Sequence, residues 1–388
     1  MSFSSDPSIT PHQLPTRLFE INETFGKTIF TTTLPQGTKY CAVSHVWGPV
    51  VNDYPAFQPD VPWPVPSSSE LKVKFIVDTC RKLGYKYVWC DILCIRQGKD
   101  APAKEEQLGE MYKMRQYYGK CDATIVFGSS YSTFATSWDV VDALLTTWEK
   151  DRNGEQPETI KQVWLGLGDI DTAVGGKGGD QLFWRGWTLQ ETVLPPRLLT
   201  SEGTVMRVET FCELIDWTYA ALGKRVLDNH DSTLPSYEWI HPGAGVVNDK
   251  GWWRVSQSLR LAFSFKNTPL DPLQALAVTA HREISPRHMK DTLFAAYGMI
   301  DSKWHVMDDD KYTLDDVWRL TVDNYIQAKD IAPLLAMAVT DTDHRTWAAG
   351  KAKYMGTVIP SAGKWLNPTG MRVVSSIANF CFSSACHS

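Results

Sequence analysis

The sequence predicts an α/β protein, with a mostly parallel sheet flanked by helices in its first half and a mainly helical region after it. Three observations carry that expectation. Between Thr38 and Gly128, short apolar runs of strand length alternate with stretches of helical spacing. Their order is strand, helix, strand, helix, strand, which implies parallel pairing through crossover connections. Beyond about residue 205 the strand signals thin out and helical spacing takes over. The chain therefore divides into an α/β domain over 1–204 and a mainly helical region over 205–388.

The elements follow in order. TKYCAVSHV, residues 38–46, is the first strand. Residues 47–68 are Pro-rich, too polar and too broken for an element, and long loops in compact domains tend to carry function. Residues 67–84 have helical spacing behind a Ser/Glu start signal, and YKYVWCDI, 85–92, is a second buried strand. Ala103 to Tyr118 reads as a helix with Glu105 and Glu106 in its first turn, and DATIVFG, 122–128, is the third strand. A helical stretch over 136–150, a Gly-rich segment over 166–181 and the segment FWRGWTLQETVLPP, 183–196, complete this half. The Pro195-Pro196 pair ends any helix begun near Trp187. Downstream, residues 272–284, 289–300 and 313–327 have helical spacing.

Composition narrows the function classes. The formal net charge is −5 with 21% charged and 43% hydrophobic residues, the balance of a globular protein and not of a nucleic-acid binder. Eight cysteines in 388 residues are too few for a disulfide scaffold. Cys41, Cys80, Cys90, Cys94 and Cys121 fall in core-type segments and are expected to be reduced and buried. The first residues have neither a basic segment nor an apolar run, position 2 is not Gly, and Cys386 stands too close to the end for a prenylation box. With no run of 18 uncharged apolar residues, no membrane partner is expected and a cytoplasmic location is the default. The unusual count is 16 Trp against 15 Phe and 14 Tyr.

Several chemical readings can be weighed on residue pattern. A phosphate loop fails, because Gly176-Lys177 is followed by Gly178 and not by Ser or Thr. A zinc site is not expected: Cys90 and Cys94 are spaced C-x3-C, and the nine His residues are scattered. A Cys/His nucleophile is conceivable, since His45 closes the first strand while Cys90 and Cys94 flank the end of the second, but Cys90 also reads as a small core hydrophobe. Trp187 and Glu191 are four apart and share a helix face. A carboxylate against an indole suits acid/base work or stabilisation of a developing cation, and a surface Glu paired with Arg185 is the bland alternative. Asp91 either contacts ligand hydroxyls or caps the loop that follows it, and Arg96 and Gln97 lie in the same turn.

Three blocks together resemble the heterokaryon-incompatibility (HET) domain of fungal proteins: Tyr40 to Gly48, YCAVSHVWG; Tyr87 to Gln97, YVWCDILCIRQ; and Arg185 to Glu191, RGWTLQE. Glu106 and Gln107, followed by Met114, Tyr117, Tyr118 and Ala123 to Val126, resemble the family's intervening block. Lys290 to Gly298 resembles a segment often found downstream. Two positions depart from the family pattern: His45 stands where Tyr is usual, and Arg96 where Asn is usual.

The resemblance implies a distantly Toll/interleukin-receptor-like (TIR-like), flavodoxin-like fold and a role in the cell death that follows fusion of incompatible cells. Several TIR domains cleave NAD+ through a glutamate in a W-C-x-x-E pattern, and Trp187 to Glu191 keeps that spacing. It therefore implies NAD+ as substrate with no further cofactor, Glu191 as the catalytic carboxylate, and Ser44, His45, Trp47, Asp91, Arg96 and Trp187 lining the substrate site. The chemistry is coherent, because breaking the nicotinamide–ribose bond builds an oxocarbenium-like charge that a carboxylate stabilises. An indole face also suits cationic nicotinamide. A homo-oligomer and a death-signalling partner protein are further expectations. The competing expectation is a non-catalytic module that self-associates or docks onto a partner, with the two departures marking a decayed site.

Overall fold

The computed structural model describes most of residues 14–227, apart from 46–51, 55–59, 128–132, most of 152–187 and a few single positions, together with a short stretch at 259–263. The helical segments expected after residue 270, the Gly-rich segment, Trp47 and Trp187 lie outside the described residues.

Eight strands and seven helices organise this part. They are β1 (Arg17–Ile21), β2 (Gly26–Phe30), β3 (Cys41–His45), β4 (Asn52–Tyr54), β5 (Val65–Ser67), α1 (Glu70–Lys82), β6 (Tyr87–Trp89), α2 (Asp91–Cys94), α3 (Ala101–Met111), α4 (Met114–Lys120), β7 (Ala123–Phe127), α5 (Thr133–Asp151), α6 (Thr188–Val193), β8 (Leu198–Leu199) and α7 (Val208–Leu227). The main sheet runs β2-β1-β6-β3-β7-β8. β6, β3, β7 and β8 are parallel, while β1 pairs antiparallel with both β2 and β6. Within the parallel block the second strand in chain order precedes the first, so the connections leave β3 in opposite directions. That is the topological switch point, beyond whose carboxyl ends open α/β sheets bind ligands.

The expected strand, helix, strand, helix, strand order is present, and the sheet is mixed. Its antiparallel part is a hairpin over 17–30 that the periodicity does not reveal. The hairpin turn is closed by Asn22, whose side-chain oxygen accepts from the backbone of Thr24 at 3.0 Å and Phe25 at 2.8 Å. Gly26 follows at φ 142°, and a Cβ there would run into Glu20 and the Phe19 ring, so only glycine fits. The Pro-rich segment, expected to hold no element, carries the antiparallel pair β4 and β5. The helix expected over 103–118 is broken into α3 and α4, and the strand expected to run to Ile92 stops at Trp89 because α2 begins at Asp91.

β3 and β7 are buried along their whole length, as parallel strands covered on both faces are. Trp89 is fully buried and packs 5.4 Å from Tyr117 and 5.3 Å from Tyr118, which plants α4 on one face of the sheet. Phe127 packs 5.9 Å from Phe75 and Cys41 meets Cys80, which places α1 on the other. α1 starts where the sequence signals it, with the Ser69 hydroxyl accepting from the Lys72 backbone N–H at 3.1 Å. Phe211, Cys212, Leu214 and Ile215 of α7 bury into the same core as Trp138 of α5, and Leu259 and Ala262 join it. Cys41, Cys80, Cys90, Cys94 and Cys121 are buried and unpaired, as the composition implied.

Arg17 ties the hairpin to the parallel block: its guanidinium grips the Glu106 carboxylate with two hydrogen bonds and stacks over the rings of Phe30 at 4.7 Å and Trp63 at 5.2 Å. Burial raises the Glu106 carboxyl, but Arg17 and the Arg96 backbone N–H outweigh it and hold it below its ordinary value. A carboxyl lowered in the folded state contributes stability that is full above the unfolded value, about 4.3, and is lost as pH falls through the lowered folded value. The expected outcome is that Glu106→Gln loses less stability than the unmodified chain between about pH 5 and 3, read from urea unfolding midpoints. Trp89→Ala is expected to cost about 3 to 5 kcal/mol in the same measurement, through the cavity left between β6 and α4.

Candidate functional site

β3 ends in two polar residues, Ser44 and His45, and strand alternation sends them to opposite faces. Ala42 pairs with Trp89 across the sheet, so both face α4, and Ser44, two residues on, faces the same way. His45 pairs with Phe127, which packs on Phe75 of α1, so the imidazole lies toward the α1 face. Both side chains are buried, and a buried polar group needs a partner.

Each finds a carboxylate. The Ser44 hydroxyl donates to Glu191 Oε2 across 147 residues of chain. Glu191 is delivered by α6, a six-residue helix ended before Pro195 and Pro196, and its residue is only 9% exposed. His45 Nε2 lies 2.9 Å from Asp91 Oδ1, with the imidazole 3% and the carboxylate 26% exposed. Asp91 Oδ1 also accepts from the Ile92 backbone N–H at 2.7 Å, so one atom holds both the imidazole and the start of the turn that follows. With the carboxylate accepting from Nε2–H, His45 Nδ1 is left buried and, among the described residues, without a partner.

Tyr118 of α4 links the two pairs. Its phenol is pushed well above its ordinary range by burial first and then by the charges of Glu191 and Asp91, and it donates to the Val43 carbonyl at 3.3 Å. Two carboxylates therefore flank the carboxyl end of β3, one toward each face, with a buried neutral phenol near both.

The turn that carries Asp91 is held from several sides. Thr28 donates to the Leu93 carbonyl at 2.8 Å and Trp63 to that of Ile92 at 3.1 Å. Gln97 donates to the carbonyls of Asp91 at 3.2 Å and Ile95 at 2.8 Å. Glu106 accepts from the Arg96 backbone at 2.7 Å, and Gln107 donates to the Arg96 carbonyl at 3.0 Å. Arg96 itself turns its guanidinium to Asp100, 3.1 Å away at the surface, and not to either carboxylate pair.

Of the seven residues expected at the site, Ser44 and Glu191 meet, His45 and Asp91 meet, and Arg96 stands aside; Trp47 and Trp187 lie outside the described residues. Sequence reasoning missed the place of Tyr118 between the carboxylates and the stapling by Gln97, Glu106 and Gln107. The signal was present, because all four lie in the blocks that carry the family resemblance.

Residues 40–191 match the family model of the heterokaryon incompatibility protein (HET). The chain carries a HET domain. Its first matched residues open β3 and its last is Glu191, so the two ends of the HET match are brought together by the Ser44–Glu191 hydrogen bond. Comparison with curated proteins and with solved structures returned no match. Among the described residues, no helix is long and apolar enough to cross a membrane.

The geometry also decides on the cysteines. Burial pushes the Cys90 and Cys41 thiols well above their ordinary range, and those of Cys94 and Cys121 up to about 12 and about 11. A nucleophilic thiol requires the opposite, a lowered pKa and access, so the Cys/His nucleophile reading falls. Peptide mapping after brief iodoacetamide treatment at neutral pH is expected to find Cys41, Cys80, Cys90, Cys94 and Cys121 unmodified in the native protein and alkylated after denaturation; fast native labelling at Cys90 would contradict the burial argument.

Proposed function

We propose that the HET domain, whose family implies a cell-death function in heterokaryon incompatibility, is a TIR-like NAD+ glycohydrolase with Glu191 as its catalytic carboxylate. The observation that carries the reading is the Ser44–Glu191 pair: a largely buried carboxylate held at the carboxyl edge of the central strand, at the switch point of the sheet. Breaking the bond between nicotinamide and ribose sends the electron pair to the nicotinamide nitrogen and leaves positive charge on the ribose. A fixed carboxylate in a poorly solvated site stabilises that charge strongly. Water then adds to the ribose carbon and loses a proton, giving the ADP-ribose product.

Ser44 positions the carboxylate, while Asp91 and His45 at the adjoining strand ends offer an acceptor and an imidazole to ribose hydroxyls. Trp47 and Trp187 supply aromatic faces for the nicotinamide ring in this reading. The protein acts in the cytoplasm as a homo-oligomer.

A second reading, a non-catalytic death-signalling module that docks onto a partner protein, is favoured by one observation. Arg96, a departure from the family pattern, spends its charge on Asp100 and not on the site.

Incubating the purified chain with NAD+ and following nicotinamide release separates the two. Turnover is expected, with Glu191→Gln lowering it by at least about 100-fold, the scale of removing one well-placed electrostatic group. Undiminished turnover by Glu191→Ala removes the catalytic assignment, and cell killing by a protein that leaves NAD+ intact establishes the signalling reading.

A further inference from the structure

Residue spacing gives no metal motif at this place in the chain, since Cys90 and Cys94 are spaced C-x3-C and the histidines are scattered. The fold alters the donor set. Cys94 turns its thiol to the Val88 carbonyl at 3.5 Å. His45, 45 residues before Cys90, arrives from the neighbouring strand instead. A His45 ring nitrogen, Cys90 Sγ and an Asp91 carboxylate oxygen all lie within 4.8 Å of one another.

We infer that these three side chains form a binding site for one zinc-type divalent cation at the carboxyl end of β3 and β6. A nitrogen, a sulfur and an oxygen donor are the ligand types zinc takes, and the thiolate selects against magnesium and calcium. Three protein ligands leave a fourth position for water. Charge favours the assignment: a dication with one thiolate and one carboxylate is electrically neutral, which suits a pocket where Cys90 is fully buried and the His45 imidazole 3% exposed. Asp91, at 26% exposure, marks the side from which ion and water enter.

The geometric adjustment is small. Zinc bonds of about 2.0 to 2.3 Å give donor separations of roughly 3.3 to 3.8 Å in a tetrahedron. His45 Nε2 and Asp91 Oδ1 are 2.9 Å apart, Cys90 Sγ is 3.8 Å from Asp91 Oδ1, and the imidazole and thiol lie within 4.8 Å, so closure changes each separation by about 1.3 Å or less. The cation replaces the Nε2–H hydrogen bond; the imidazole proton moves to Nδ1, and the Cys90 thiol proton is released to solvent. Ion binding stands independently of the NAD+ chemistry, although the open position would face the same strand ends as the Ser44–Glu191 pair.

The test uses the full chain, stripped with chelator and titrated with Co2+. One equivalent is expected to bind, with the visible intensity of a tetrahedral site and a near-ultraviolet thiolate-to-cobalt band, both abolished by Zn2+. Cys90→Ser is expected to lose the thiolate band, Cys94→Ser to keep it, and His45→Gln to bind at least about 10- to 100-fold more weakly, the range that loss of even an outer-shell partner produces. Zn2+ is also expected to raise the melting temperature of the unmodified chain and to release about one proton per ion, a readout that needs no variant. The assignment is overturned if no stoichiometric ion binds, if the thiolate band survives Cys90→Ser, or if Zn2+ leaves the unmodified chain's melting temperature unchanged.

Discussion

The strand β3 is the constraint on which the site depends. It is flanked by β6 and β7 and covered on both faces, so its last two residues cannot reach water by simple exposure. Both are polar, and the two-residue period of a strand sends them to opposite faces. Each must therefore be matched by a partner from elsewhere, and in each case the partner is a carboxylate: Glu191 for Ser44 and Asp91 for His45. An unmatched buried polar group costs about 1 to 3 kcal/mol, so the carboxylates are positioned by the same energetics that keep the strand buried.

The second carboxylate is placed by a turn rather than by a strand. Residues 91–97 form a short helix and a bend whose carbonyls are held by Thr28, Trp63, Gln97 and Gln107, while Glu106 takes the Arg96 N–H. Glu106 is in turn gripped by Arg17 of the hairpin. The antiparallel hairpin therefore does more than extend the sheet, because its Arg17 and Thr28 help fix the turn from which Asp91 reaches His45. This gives the hairpin a role in the site through the turn that carries Asp91.

Tryptophan divides along the same lines. Trp89 fills the space between β6 and α4, Trp63 pins α2 through its indole N–H, and Trp138 and Trp148 bury among α5 and α7. These large side chains stack helices onto the sheet, and their burial supplies the rigid frame that the polar pairs at the strand ends require. Among the described residues, the tryptophans thus serve packing.

The sequence by itself determined the strand, helix, strand, helix, strand order over residues 38–127, though not the β4–β5 pair or the helical turn at Asp91, together with the burial of the five core cysteines and the three blocks of the HET domain, because these depend on local periodicity and on residue identity at fixed spacing. It also singled out Ser44, His45, Asp91 and Glu191. It did not reveal the hairpin over 17–30, whose partner strand β6 lies more than 50 residues onward, nor that Arg96 turns aside to Asp100. Only the tertiary structure decided which polar residues meet. Ser44 and Glu191 are 147 residues apart, and His45 and Asp91 are 46 apart. Their pairing follows from strand order, register and the face each side chain takes, and those are settled by burial of the whole sheet rather than by any local pattern.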